Sequence, residues 1–248
     1  MYSVVLVDDE QVILQGLLRV VSWEEYGCRV IGTASDGVEG AALIRKQRPD
    51  ILLTDIRMPN RDGLSMVAAL KSEFPRLQIA VLTAYRDFEY ARQAIQLGVC
   101  RYLLKPSKME ELKEAIGFMT AALDAMPPVN EAEEAEQPGN EAAGSFVVKA
   151  AVNYLEQHYM EHITLSQVAD HVFVSQWHLS KLINRHLNKN FFDIVNQLRI
   201  QKARELLRDP ALKVHEVSEQ VGFSDVAHFS KNFKRLTGKS PVEYRAGL

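Results

Sequence analysis

The chain has 248 residues and a formal net charge of −3, a length that allows one large domain or two ordinary ones. No apolar run is long enough to span a bilayer, and the start "MYSVVLVDDE" lacks the basic region and cleavage site of a signal peptide, so a cytoplasmic protein is expected. The charge is uneven: residues 1–123 carry 15 Lys and Arg against 16 Asp and Glu, residues 124–145 carry none against 6, and residues 146–248 carry 14 against 10. Two modules joined by an acidic tether are therefore expected, the second of them basic. Cys28 and Cys100 both lie in strand-like apolar text and read as reduced core residues rather than a disulfide or a metal pair.

Along residues 1–123, five β-branched runs alternate with amphipathic text. The runs are "SVVLV", "CRVIGTA", "DILLT", "QIAVLT" and "CRYLLK"; helical segments such as "DGVEGAALIRKQR" and "FEYARQAIQLG" separate them. Strands alternating with helices predict an α/β fold, a doubly wound parallel sheet covered on both faces. Residues 124–145, "DAMPPVNEAEEAEQPGNEAAGS", offer Pro, Gly and Glu but little to bury, and predict a flexible linker of roughly 26 Å. From residue 146 every segment has apolar residues at helical spacing, which predicts an all-α domain. Within it "LSQVADHVFVSQWHLSKLINRHL" and "VHEVSEQVGFSDVAHFSKNFKRL" share one outline, a short helix, a turn and a basic helix, the form of a helix-turn-helix.

The chemistry of the first module lies at strand ends. Asp8, Asp9 and Glu10 follow the first strand and Asp55 ends the third. If those strands are neighbours, Asp8, Asp9 and Asp55 share one small volume, and their repulsion calls for a positive charge. A hard divalent ion such as Mg²⁺ suits three carboxylates. Lys105, after the fifth strand, adds a second positive charge at the same edge, and Thr83, ending the fourth, adds a hydroxyl. Such a group is a reasonable phosphoryl acceptor, because that transfer is catalysed mostly by positioning and charge neutralisation.

The combination "VDDE", "TDIRMP" followed by "DG", "LTAY" and "YLLKP" resembles the receiver domain of two-component response regulators, a flavodoxin-like (βα)5 fold, over residues 1–123. The resemblance implies that Asp55 is the phosphoacceptor. It implies that Asp9 and Asp55 ligate Mg²⁺ directly, Asp8 through water, with the main-chain carbonyl of Arg57 completing the set. Lys105 would contact the phosphoryl group, Thr83 would move to bond it, Tyr102 would be the aromatic switch, and the Lys105–Pro106 bond would be cis. Tyr85, two residues beyond Thr83, is expected to obstruct attacking water and prolong the phospho-form.

In the second module, Leu179, Leu182 and Ile183 of the first reading helix are expected to face inward. Gln176, Trp177, Ser180, Lys181 and Arg185 remain for DNA. In the second, Phe229 and Phe233 face inward and Val226, His228, Lys231, Asn232, Lys234 and Arg235 outward. The helix between them, "FFDIVNQLRIQKARELL", is long enough to hold two readers in successive major grooves. With "GFSDVAHFSKNFKRLTGKSPVEYR", residues 146–248 resemble the AraC-type DNA-binding domain. Asn188 stands where that family usually has glycine, and Asn tolerates the left-handed conformation.

Together the halves imply a regulator of transcription rather than an enzyme. Its partners would be a sensor histidine kinase, double-stranded DNA, RNA polymerase and, on phosphorylation, a second copy of the chain. The alternative is a DNA-binding or interaction protein gated by a partner or ligand without phosphorylation; that none of the expected site residues is missing argues against it. A phosphohydrolase is weaker still, because Arg57 stands where a second acid, two residues beyond Asp55, would be needed.

Overall fold

The computed structural model of the chain describes residues 1–58, 61–127 and 141–247. It divides into two compact units, Met1–Val147 with Val172–Val174, and Val148–His171 with Ser175–Leu248.

In the first unit β1 (Tyr2–Val7), β2 (Cys28–Ala34), β3 (Ile51–Thr54), β4 (Gln78–Thr83) and β5 (Arg101–Leu104) form one parallel sheet in the order β2-β1-β3-β4-β5. All four residues of β3 and all six of β4 are buried, which is why they read as continuous apolar runs rather than alternating ones. Helices α1 (Gln11–Val20), α2 (Gly37–Gln47), α3 (Gly63–Glu73), α4 (Phe88–Gln96) and α5 (Met109–Asp124) follow the strands in turn. On one face Val4, Leu6, Ile51, Leu53, Ala80 and Leu82 pack with Leu14 of α1 and with Leu112, Ala115, Ile116 and Met119 of α5. Each fully buried aliphatic side chain of this set contributes about 1.5–3 kcal/mol. On the other face α2 lies against β1 so closely that a Cβ on Gly40 would come within 2.9 Å of Val7.

The ladder runs one residue past the strands. The Asp8 amide donates to the Ala34 carbonyl (3.1 Å) and the Asp55 amide to the Val7 carbonyl (2.9 Å), so the two acids emerge side by side at one sheet edge. After Asp55 the chain doubles back: Arg57–Met58 pairs antiparallel with Arg61–Asp62, and the Gly63 amide bonds the Ile56 carbonyl at 2.8 Å. A Cβ on Gly63 would lie 2.4 Å from that carbonyl oxygen, so the close return requires glycine.

The helices beyond are α6 (Glu141–His158), α7 (Leu165–His171), α8 (Gln176–Leu187), α9 (Phe191–Leu206), α10 (Val214–Gln220), α11 (Val226–Thr237) and α12 (Pro241–Ala246). Most of the expected linker, 128–140, lies outside the described residues. Its ends depart from expectation: Asp124 closes α5 and residues 141–145 open α6. The prolines and Gly139 all precede residue 141, and "EAAGS" continues the helical text that follows it despite Gly144.

In the second unit Ile200 and Ala203 of α9 and Leu207 at its C-cap pack with Val217, Val221, Phe223, Phe229 and Phe233. Both reading helices have side-chain N-caps: Ser175 accepts from His178 N, and Asp225 from Ala227 N and His228 N. Both end in the left-handed conformation, at Asn188 (φ 50°) and Gly238 (φ 81°), so Asn188 does what glycine does in the second unit of the pair.

Candidate functional site

Acids at strand exits have two fates here. Asp36, after β2, and Asp87, after β4, accept backbone N–H groups and cap α2 and α4. Asp8 and Asp55 do something else. Both are buried, and with the exposed Asp9 they bring ligand oxygens within 4.8 Å of one another.

Lys105 ties the buried acids together. Its side chain is 9% exposed, and its ammonium donates to Asp8 Oδ2 at 2.7 Å, Asp55 Oδ2 at 2.8 Å and Glu10 Oε1 at 3.1 Å. Asp55 Oδ1 also accepts from Ile56 N (2.5 Å) and Arg57 N (3.1 Å), and Asp8 Oδ1 from Glu10 N (3.0 Å). Burial pushes the Asp8 carboxyl above its ordinary value, despite the opposing pull of Lys105 and the Glu10 amide. At Lys105 burial works against the ammonium, but the hydrogen bonds and charges of Asp55 and Asp8 outweigh it and raise its pKa. One cation is therefore shared among more negative charge than it balances, a site with room for a second. Three carboxylates and no nitrogen or sulfur ligand fit a hard ion such as Mg²⁺.

Thr83, 1% exposed, ends β4 beside this group, and its Oγ1 lies 3.5 Å from Tyr85 N. The Tyr102 hydroxyl donates to the Tyr85 carbonyl at 3.2 Å. The Lys105–Pro106 bond is cis. The structure thus brings Asp8, Asp9, Asp55, Lys105 and Thr83 to one edge, with Arg57 and Tyr102 at its margin. Two features had no counterpart in the sequence reading. One is the Glu10 bond to Lys105; the other is the Arg57 guanidinium, 4.3 Å from the Tyr85 ring centroid and 5.5 Å from that of Tyr90. Glu10 was visible in "VDDE", whereas no spacing relates Arg57 to rings on another loop and on α4.

Of the residues expected to reach DNA, Gln176, Trp177, Ser180, Lys181 and Arg185 are exposed on α8, and Val226, His228 and Lys231 on α11. Leu179, Leu182, Ile183, Phe229 and Phe233 are buried as expected. Trp177 is 68% exposed, with the Lys181 ammonium 5.0 Å from its ring centroid. Asn232 is a correction. It is buried, donates to the His228 carbonyl at 3.0 Å and accepts from Arg235 at 3.1 Å. Three residues beyond Phe229 and next to Phe233, it falls on the inward arc of α11, and its polarity alone suggested otherwise.

No helix among the described residues is long and apolar enough to cross a membrane. A family model for the response regulator receiver domain matches residues 4–117, and one for a helix-turn-helix domain matches residues 168–247. An uncharacterized response regulatory protein of Staphylococcus epidermidis is 32% identical over 249 residues, with 98% of each chain covered. The transcriptional regulatory protein HptR of Staphylococcus aureus is 32% identical over 252 residues, again with 98% of each covered. Among solved structures, the chain is similar to the receiver domain of AraT, a response regulator from Geobacillus stearothermophilus. The TM-score is 0.47 at 34% identity, covering 50% of this chain and 95% of that one.

Proposed function

The chain belongs to the response-regulator family, with a receiver domain and an AraC-type helix-turn-helix domain, and from that premise we propose that it is a cytoplasmic transcription factor controlled by phosphorylation of Asp55. The observation that carries this reading is the convergence of Asp8, Asp9 and Asp55 around the Lys105 ammonium, with the Thr83 hydroxyl on the next strand.

The phosphoryl donor is a sensor histidine kinase. An Asp55 carboxylate oxygen forms the new P–O bond as the donor's P–N bond breaks, and the imidazole leaves with the electron pair. Asp9, Asp55 and the Arg57 carbonyl would hold Mg²⁺ directly, and Asp8 through water. When bound, the ion neutralises charge on the transferring phosphoryl oxygens. Lys105 contacts one of those oxygens, Thr83 moves to bond another, and Tyr102 follows as the aromatic switch.

The switched protein dimerises through the face of α4, β5 and α5. Phe88 (79% exposed) and Ile95 (72%) stand out there, with Arg101 stacked on Phe118 at 3.8 Å. Two DNA-binding domains held together gain affinity for adjacent half-sites through effective concentration. Each reads double-stranded DNA with α8 and α11, and RNA polymerase is the partner on which regulation acts. Intact mass spectrometry with Mg²⁺ and acetyl phosphate tests the acceptor. A gain of one phosphoryl group by the wild type and none by Asp55→Ala is expected; no gain by either, with a second donor as well, contradicts the reading.

A further inference from the structure

The Arg57 side chain has no part in the roles assigned so far, in which only its main-chain carbonyl takes part. It lies across the gap between two loops. Its main-chain amide bonds Asp55, while its guanidinium lies over the Tyr85 ring of the β4–α4 loop and faces Tyr90 in the first turn of α4. Tyr90 foremost, and then Tyr85, raise the guanidinium pKa through their hydroxyls. Tyr85 is in turn contacted at its backbone by both members of the proposed switch pair, through the Thr83 Oγ1 near its amide and the Tyr102 hydroxyl on its carbonyl.

We propose that the Arg57 side chain is a positioning residue that latches the β4–α4 loop and the start of α4 to the phosphoacceptor loop in the resting protein, and so opposes switching. This rests on the reading of Asp55 as the phosphoacceptor. For Thr83 to approach a phosphoryl group, the segment from Thr83 to Tyr85 has to shift, and that shift carries the Tyr85 ring away from Arg57. The planar, forked guanidinium approaches both rings at once; a lysine ammonium is a compact point charge that cannot bridge both in the same way. The latch therefore depends on the shape of the cation as well as its charge. Two solvent-exposed contacts of this kind bias the loop by about fivefold, enough to restrain a switch without locking it.

The test uses the full chain and the variants Arg57→Ala, Arg57→Lys and Tyr90→Leu. Tyr90→Leu leaves every group at Asp55 in place. Amide hydrogen exchange of Ala84–Ala91, without phosphodonor, is expected to rise about fivefold in the two Arg57 variants, which disturb both contacts, and about twofold in Tyr90→Leu, which removes one. With Mg²⁺ and acetyl phosphate, Tyr90→Leu is expected to take up a phosphoryl group about twofold faster than wild type, with an unchanged Mg²⁺ midpoint. A purely structural role for Tyr90 would not accelerate uptake. If the wild type takes up the phosphoryl group while exchange and rate are the same in the variants, the latch is overturned. If exchange rises but no form takes up a phosphoryl group, the contact holds the loop, and the acceptor reading fails and takes the latch's role with it.

Discussion

The Lys105 ammonium stands 2.8 Å from Asp55 Oδ2, and it is the same ammonium that bonds Asp8. Both carboxylates are buried, so removing the lysine leaves like charges facing each other without compensation. Breaking a buried pair from one side is strongly destabilising. Lys105→Met is expected to lower the unfolding free energy by about 2–3 kcal/mol in EDTA, and by much less in Mg²⁺, which takes over the neutralisation. Urea unfolding in the two conditions checks this; an equal loss in both would show that the lysine acts by packing.

A second lysine behaves in the opposite sense. Lys71 in α3 is 6% exposed, and its ammonium donates to the Leu77 carbonyl at 2.9 Å. Burial pulls its pKa below the ordinary value of 10.5, partly countered by Cys100. In the pH window between the depressed folded value and the ordinary one, the unfolded chain binds more protons, so this group's penalty fades as pH rises through that window. Lys71→Met is therefore expected to be more stable than wild type at neutral pH by about 1–2 kcal/mol, with the gap narrowing on the alkaline side. Urea midpoints of the two proteins across pH 7 to 10 measure the gap, and one that widens with pH contradicts the assignment.

Much of the receiver is legible in the sequence, because each strand is a short apolar run that stops at a residue of different chemistry. Asp8, Asp55, Thr83 and Lys105 mark four such stops; the parallel register puts Asp8 and Asp55 level, with Thr83 and Lys105 just beyond them at the same edge. What could not be read depends on side-chain direction rather than on element type. Asn232 is polar, and only the phase of α11 turns it inward beside Phe233. For Arg57 the resemblance implies only a backbone ligand, whereas the approach of its guanidinium to Tyr85 and Tyr90 depends on how two loops close over the sheet edge. The helical start of α6 was hidden by composition, since Ala, Gly and Ser after an acidic run resemble a tether.

The inward Asn232 separates two effects that look alike in a DNA-binding assay. Asn232→Ala removes the bonds to His228 and Arg235 and is expected to cost about 1–2 kcal/mol of stability in the second unit. The salt slope of binding to duplex DNA should not change. Lys231→Ala, on the exposed side of the same helix, is expected to leave stability alone and to reduce that slope by about one. Titrations at several salt concentrations distinguish them; a lower slope for Asn232→Ala would return it to the interface.

Tyr85 is 46% exposed two residues beyond Thr83, and its ring, once off Arg57, is expected to obstruct water approaching a phosphoryl group on Asp55. Tyr85→Ala is expected to shorten the phospho-form lifetime by about threefold, or ~0.7 kcal/mol of barrier. Loss of the phosphoryl mass after removal of the donor gives the rate, and an unchanged rate would remove this role from Tyr85.

If Asp55 is a switch, its phosphorylation changes the assembly of the chain. Light scattering of the wild type and Asp55→Ala, with Mg²⁺ and acetyl phosphate, tests it most directly. The wild type alone is expected to move from monomer towards dimer, in step with its gain of a phosphoryl group. A wild type that gains the group and keeps the same mass in solution as Asp55→Ala would contradict it, and regulation through a partner or ligand would then be the better explanation.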